Sequence, residues 1–367
     1  MNKTVIIGSI AAAVIAIILV SFPTTPVPIP SPVQLNATGI EVVASQLQVP
    51  WAIDFADDGR IFFTERVGRV RVIDDGKLID EPVFSIEAAK VSEAGMLGLA
   101  LDPAFNKNEY IYVYYTYVAE NGNLWNRASK LVKSGSNAYS EQVLIDKIPA
   151  AGIHDGGRMK FGPDGKLYIT TGDASNPSLS QDLTSLAGKI LRINTDGSIP
   201  DDNPFPNSPV YSYGHRNPQG LAWHPVTNEL YSTEHGPVGN DEINIIKAGG
   251  NYGWPVEQCS GEQEYIDAIV CYPVSIAPSG ATFYSSDKLP YKNDLFFGTL
   301  RGEHVEHVIF DEAGNVAKQE NFLEGFGRIR DVVEGPDGYL YIATSNRDGR
   351  GLPAPDDDKI LRITKAR

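Results

Sequence analysis

Between residues 34 and 367 one pattern recurs at intervals of roughly 40 to 60 residues: an apolar run, a turn rich in Pro, Asp and Gly, a second β-branched or aromatic run, and a third short run. Such a period decides architecture first, because one supersecondary unit cannot bury its apolar face alone and must stack on the next. Six copies are readable: residues 51–65 (WAIDFADDGRIFFTE), 98–103 with 110–114, 159–171 (MKFGPDGKLYITT), 220–225 with 229–233, 281–284 with 294–298, and 332–344 (VVEGPDGYLYIAT). In three copies, 51–65, 159–171 and 332–344, an Asp-Gly or Pro-Asp-Gly sits between the runs, where glycine supplies the positive φ of a tight hairpin. No segment of helical periodicity intervenes, so the repeats predict an all-β chain, a six-bladed β-propeller with four-stranded antiparallel blades over residues 34–367. The third runs, residues 68–73, 188–193 and 359–364, alternate polar and apolar residues as half-exposed outer strands would. The last is expected to pair with residues from about Glu41 to Gln48, closing the ring and hiding its edges.

The repeats leave out the first 33 residues, whose single charge is Lys3. Residues 5–20 (VIIGSIAAAVIAIILV) are continuously apolar apart from one serine, and no A-x-A site follows. Residues 1–22 therefore predict a signal or, preferably, an uncleaved membrane anchor that puts the body outside the cytoplasm. Residues 23–33 hold five prolines and predict an extended polyproline II tether. Membrane contact is expected only through this N-terminal segment. The two cysteines, Cys259 and Cys271, are expected to form a disulfide in an oxidising exterior, and the triplet Asn36-Ala37-Thr38 matches a glycosylation acceptor. Lys plus Arg is 31 against 46 for Asp plus Glu, a net charge of −15, which disfavours nucleic acid as a partner. An anionic ligand would need a local basic pocket.

In a propeller the informative polar residues lie next to the innermost strands, around the axis. His154, in GIHDGGR, immediately precedes the third repeat, and a neutral imidazole there can act as a general base or simply bond to backbone. Arg216 and Asn217, in YGHRNPQG, hold the same place before the fourth repeat, where a guanidinium and an amide can clamp a carbonyl or carboxylate. Arg328 and Arg330, before the sixth repeat, are two apart on an extended segment and so face one side. Residues 234–244 (EHGPVGNDEIN), followed by 250–255 (GNYGWP), offer hard oxygen donors suited to calcium without the spacing of an EF-hand. No phosphate-binding glycine loop, HExxH, CxxC or GxSxG is present, which weighs against nicotinamide, zinc-protease and α/β-hydrolase chemistry.

In their shared order, VPWAID (49–54), GMLGLA (95–100), His154 with FGPDG (161–165), GHRNPQG (214–220), EHGP with DEIN, NYGWP and RIRD (328–331) resemble the soluble pyrroloquinoline-quinone-dependent aldose sugar dehydrogenases. The resemblance spans about residues 40 to 365. It implies a six-bladed propeller that oxidises aldose sugars to lactones outside the cytoplasm and passes electrons to an external acceptor, a quinone, dye or redox protein. It further implies His154 as general base assisted by Arg216, and Arg216, Asn217, Arg301, Arg328 and Arg330 as contacts to the quinone and its carboxylates. The carbonyls of Gly236 and Pro237 would bind a catalytic calcium, and Glu242 with the carbonyl of Tyr252 a second, structural one. Glu93 is a departure, since it stands where better-known members place a cofactor-contacting glutamine and adds a negative charge beside an anionic cofactor. Two other readings remain open: a calcium-dependent propeller lactonase or esterase, expected to ring its calcium with side-chain carboxylates, and a non-catalytic propeller binding module.

Overall fold

Each turn of the repeat closes a hairpin. In the third copy, Met159–Phe161 pairs with Leu167–Thr171, Met159 opposite Ile169, and the intervening Gly165 takes the left-handed φ of +71° that the turn demands. The computed structural model describes residues 38–365, apart from 136–137 and 262–263; the leader, the proline tether, and Asn36 and Ala37 of the glycosylation triplet lie outside these residues. The described chain forms six antiparallel sheets. Their innermost strands are Pro50–Phe55, Met96–Leu101, Met159–Phe161, Pro218–Trp223, Pro278–Phe283 and Ile329–Glu334, and contacts between sheets run largely through them. This is the six-bladed propeller read from the repeats. Five sheets have four strands, and in blade 1 two short pieces, Lys77–Leu78 and Phe84–Ser85, share the outer position.

The ring is closed by its two ends. Thr38–Ala44 lies antiparallel to Ile360–Lys365, with Val42 opposite Leu361, as the outer strand of blade 6. The closing strand thus begins and ends a few residues earlier than expected. Leu47 has already turned into the core, its amide bonded to the Asp358 carbonyl. The expectation that the third runs are half-exposed outer strands is corrected. Lys189–Ile193 is buried throughout, because Val210–Tyr213 covers it as a fourth strand. Its polar members survive burial by pairing: Arg192 meets Asp164 at 3.0 Å and Asp202 at 2.8 Å, and Lys189 Nζ donates to three backbone carbonyls.

A buried threonine stands at or near the end of the second strand in all six blades: Thr64, Thr116, Thr171, Thr233, Thr299 and Thr344. Thr64 Oγ1 donates to the Leu97 carbonyl and Thr233 Oγ1 to that of Ser279, each pinning one blade to the next. On the axis, Trp51 of blade 1 lies between the guanidinium of Arg158, 4.3 Å from its ring, and that of Arg330 at 5.6 Å. Arginines from blades 3 and 6 thus converge on one tryptophan and separate the two mouths of the axial channel. The segments that precede inner strands or follow second strands emerge at one mouth.

Candidate active site

That mouth holds a cavity of about 280 Å³. The cavity is lined by six arginines, Arg66, Arg216, Arg301, Arg328, Arg330 and Arg350, against two carboxylates, Glu93 and Asp348. In a chain of net charge −15, it is a local basic pocket. His154, Glu93, Arg216, Arg301, Arg328, Arg330, Gly236 and Pro237, separated in sequence by up to 237 positions (330 − 93 = 237), all line it. Asn217 does not. It is buried behind the wall, where its Oδ1 accepts the Gly156 amide at 3.0 Å.

His154 is held from both sides. Its Nδ1 lies 2.8 Å from Asp173 Oδ1, and its Nε2 lies 3.0 Å from Arg216 Nη2. A guanidinium can only donate and a carboxylate accepts, so the network assigns the proton to Nδ1 and leaves Nε2 as the acceptor of the Arg216 hydrogen bond at the cavity wall. Asp173 is fully buried and itself fixed, its second oxygen accepting Trp254 Nε1 at 2.9 Å and its amide donating to the Arg216 carbonyl. Arg216 Nη1 reaches the His235 carbonyl at 3.1 Å, and its guanidinium lies 5.4 Å from the Trp254 ring. Its backbone amide donates to Glu234 Oε1, and the other oxygen of Glu234 meets His215 Nδ1 at 2.9 Å. Glu93 lines the cavity next to His154. One of its oxygens accepts the His154 amide at 3.4 Å and the other pairs with Arg350 at 2.7 Å, so its charge is matched at the mouth.

Arg328 and Arg330 do face one side, as their spacing implied. Arg328 bonds Asp348 at 2.8 Å and the Leu300 carbonyl at 2.8 Å, while Arg330 reaches Gln219 Oε1 at 2.8 Å. Burial lowers the Arg330 pKa to about 9, which leaves it cationic at neutral pH. Burial drives His235 down to about 3, so it is neutral there. Three lining residues carry a buried nitrogen without a protein partner: Arg216 Nε, Arg330 Nε and His235 Nε2. Asn217 Nδ2 behind them is a fourth. Orphaned buried polar groups are uncommon in folded proteins, and of the nine such side-chain atoms among the described residues four lie in or just behind the wall of this one basic cavity, which suits an acceptor-rich anion.

Beside it, Gly236 and Pro237 also line a second cavity of about 10 Å³, the room of a single water-sized body. Glu234, Glu242, Glu257, Asn240, Gln258 and Tyr252 give its wall oxygen donors, and Trp254 completes it with Arg216 and His235, which the larger cavity shares. Gly236 is required: a Cβ there would lie 2.0 Å from the Gly239 carbonyl. Asp241 fixes this turn, accepting the Gly236 amide on one oxygen and Ser275 Oγ with the Ile276 and Ala277 amides on the other. Burial and then the neighbouring Glu234 push the Glu242 pKa up, and Asn244 Oδ1, whose amide nitrogen bonds Glu242, is buried without a partner. Among the described residues no group of three or more His, Cys, Asp or Glu side chains forms a metal centre. The donors here are instead carbonyls, amides and single carboxylates, the hard oxygen set that calcium takes. Cys259 and Cys271 form a disulfide beside it, with Cα atoms 5.4 Å apart.

Sequence reading missed Asp173, Asp348, Gln219, His235, Arg66 and Arg350. Asp173, His235 and Asp348 follow the second-strand threonines 171, 233 and 344 by two to four residues, and Arg66 follows Thr64 by two, so the threonine marks positions that point to the mouth.

The family model described as Glucose / Sorbosone dehydrogenase matches residues 47–361. A solved structure of a putative oxidoreductase (glucose dehydrogenase) from Thermus thermophilus superposes with a TM-score of 0.82 at 43% identity, covering 89% of this chain and 99% of that one. The PQQ-bound form of aldose sugar dehydrogenase from Streptomyces coelicolor gives a TM-score of 0.80 at 34% identity, over 90% and 99% of the two chains. The aldose sugar dehydrogenase YliI of Escherichia coli K12 is 35% identical over 85% of this chain and 91% of its own.

Proposed function

The chain belongs to the Glucose / Sorbosone dehydrogenase family, and on that premise we propose that it is a quinoprotein oxidoreductase that oxidises aldose sugars at the anomeric carbon to lactones. The observation that carries this reading is a histidine with an unprotonated Nε2 at the mouth of a six-arginine cavity whose buried donors lack protein partners. A tricarboxylate cofactor such as pyrroloquinoline quinone fits those donors, held by Arg216, Arg301, Arg328 and Arg330, with Asn217 supporting the wall from behind. Calcium fits the carbonyl oxygens of Gly236 and Pro237, and a second calcium fits Glu242 with the carbonyl of Tyr252. When bound, the quinone supplies the electrophilic centre that takes the hydride, and calcium polarises it as a Lewis acid.

The chain's own residues do the rest. A sugar hydroxyl that displaces Arg216 from His154 Nε2 meets a lone pair, and the proton moves to that atom as hydride leaves the same carbon. Asp173 keeps the ring in the required tautomer and stabilises the imidazolium that forms. Arg216, with no proton to accept, holds the oxygen in place. Electrons then leave to an external acceptor. We place this body, residues 34–367, outside the cytoplasm, carried there by residues 1–22 and the 23–33 tether, a setting that suits the disulfide. Adding pyrroloquinoline quinone and calcium to the purified protein should give dye reduction driven by aldoses. No turnover with any aldose at saturating quinone and calcium would contradict the reading.

A further inference from the structure

The small cavity beside the active site is bounded by a covalent clamp. Glu242 lies in the third strand of blade 4, Asp241–Ile246, directly opposite Cys271 of the fourth, Val270–Tyr272. The Glu242 Oε1 atom accepts the amide of Cys259 at 2.6 Å. The disulfide therefore joins the residue that faces Glu242 across the ladder to the residue that bonds its carboxylate. Cys259 reaches that carboxylate only with φ at +64°, the left-handed region, which a residue with a Cβ leaves unless its surroundings hold it. Two other bonds hold the same turn. Cys259 accepts the Ala268 amide on its carbonyl, and the neighbouring Gln258 accepts Asn240 Nδ2 at 3.1 Å, both of these side chains lining the cavity. The fourth strand is only three residues long, and while residues 249–254 are bonded to blade 3, the turn at Cys259 lies beyond those bonds.

We propose that the Cys259–Cys271 disulfide is a positioning element of the cation site: by fixing the Cys259 amide against Glu242 it sets the carboxylate's direction and hence the affinity of this cavity for calcium. The proposal rests on the reading of the cavity as a calcium site. With the disulfide open, the left-handed turn relaxes, the amide leaves, and the carboxylate samples orientations that no longer converge with the Tyr252 carbonyl. Partners of a ligand that do not touch the metal commonly change metal affinity by about 10- to 100-fold, and a loss within that range is expected.

The test is calcium titration calorimetry on the full chain without quinone, comparing the oxidised protein, the same protein reduced by a dithiol, and the Cys259→Ser/Cys271→Ser variant. Reduction converts the disulfide to two thiols while the dithiol closes its own disulfide. Circular dichroism fixes a temperature at which all three forms are folded, and Glu242→Gln identifies the binding event to follow. Calcium affinity should fall about tenfold or more in both disulfide-free forms and return when the reduced protein is reoxidised. Equal affinity in all forms would overturn the proposal while leaving the calcium site standing. Failure of the oxidised protein to bind calcium would overturn the calcium reading and the proposal with it.

Discussion

A histidine serves as a base through a ring nitrogen that carries a lone pair, and the bonds to Asp173 and Arg216 fix Nε2 as that atom. Asp173→Asn keeps the side chain's shape but offers an amide that no longer specifies the tautomer. Turnover should fall by at least roughly 10²-fold with quinone affinity little changed, as steady-state kinetics beside a quinone titration would show. The next residue, Asp155, carries a different signal. It is buried, one oxygen bonded to Asn126 and the Ala151 amide and the other without a partner, and burial raises its pKa to about 7. A carboxyl whose folded pKa lies above its unfolded value binds its proton more tightly in the native state. It therefore costs stability increasingly as pH rises from about 4 to 7, with the full penalty above that, at most about 4 kcal/mol. Asp155→Asn should flatten the decline in melting temperature between pH 5 and pH 8, and an unchanged slope would contradict this. His154, Arg216, Arg328 and Arg330 were legible in the sequence because each precedes an inner strand or, for Arg330, stands at its start. Asp173 and Asp348 were not, because they follow second strands, where a polar residue reads as ordinary turn chemistry.

At the scale of elements, the hairpins were legible because glycine turns and apolar runs coincide, whereas the outer strands were not. Tyr139–Pro149 and Val316–Glu324 are mostly exposed, polar segments whose strand character comes from pairing with a neighbour rather than from any periodicity of their own. The third strands misled for a related reason: alternation looked like exposure, but ion pairs absorb the charge of Arg192 and backbone carbonyls take the hydrogen bonds of the Lys189 ammonium. Asp241 shows how one side chain ties elements together, since it joins the Gly236 turn of blade 4 to the segment entering blade 5. Asp241→Asn leaves one acceptor where two oxygens took four hydrogen bonds. It should destabilise the fold by about 3 kcal/mol in chemical denaturation and weaken calcium binding, because the Gly236 carbonyl is no longer fixed. Unchanged stability would show that neighbouring donors can be satisfied without this carboxylate.

At the scale of the molecule, the propeller is a ring whose last blade is completed by its first strand, so closure depends on Thr38–Ala44. A chain beginning at residue 46 should leave the Ile360–Lys365 edge open, with a lower melting temperature and a tendency to associate that light scattering would detect. The same ring brings six arginines from five segments of the chain to one mouth of an acidic protein, an arrangement no single sequence segment displays. The central claim is that this mouth divides its labour: arginines hold an anionic quinone and His154 moves the proton. The most direct test measures quinone affinity and quinone-saturated turnover in His154→Ala and Arg330→Ala. His154→Ala should bind quinone nearly as well as the parent and lose turnover by roughly 10²- to 10⁴-fold, while Arg330→Ala should bind quinone at least about tenfold more weakly and recover activity in excess quinone. Full turnover by His154→Ala at saturating quinone, or unchanged quinone affinity in Arg330→Ala, would contradict it.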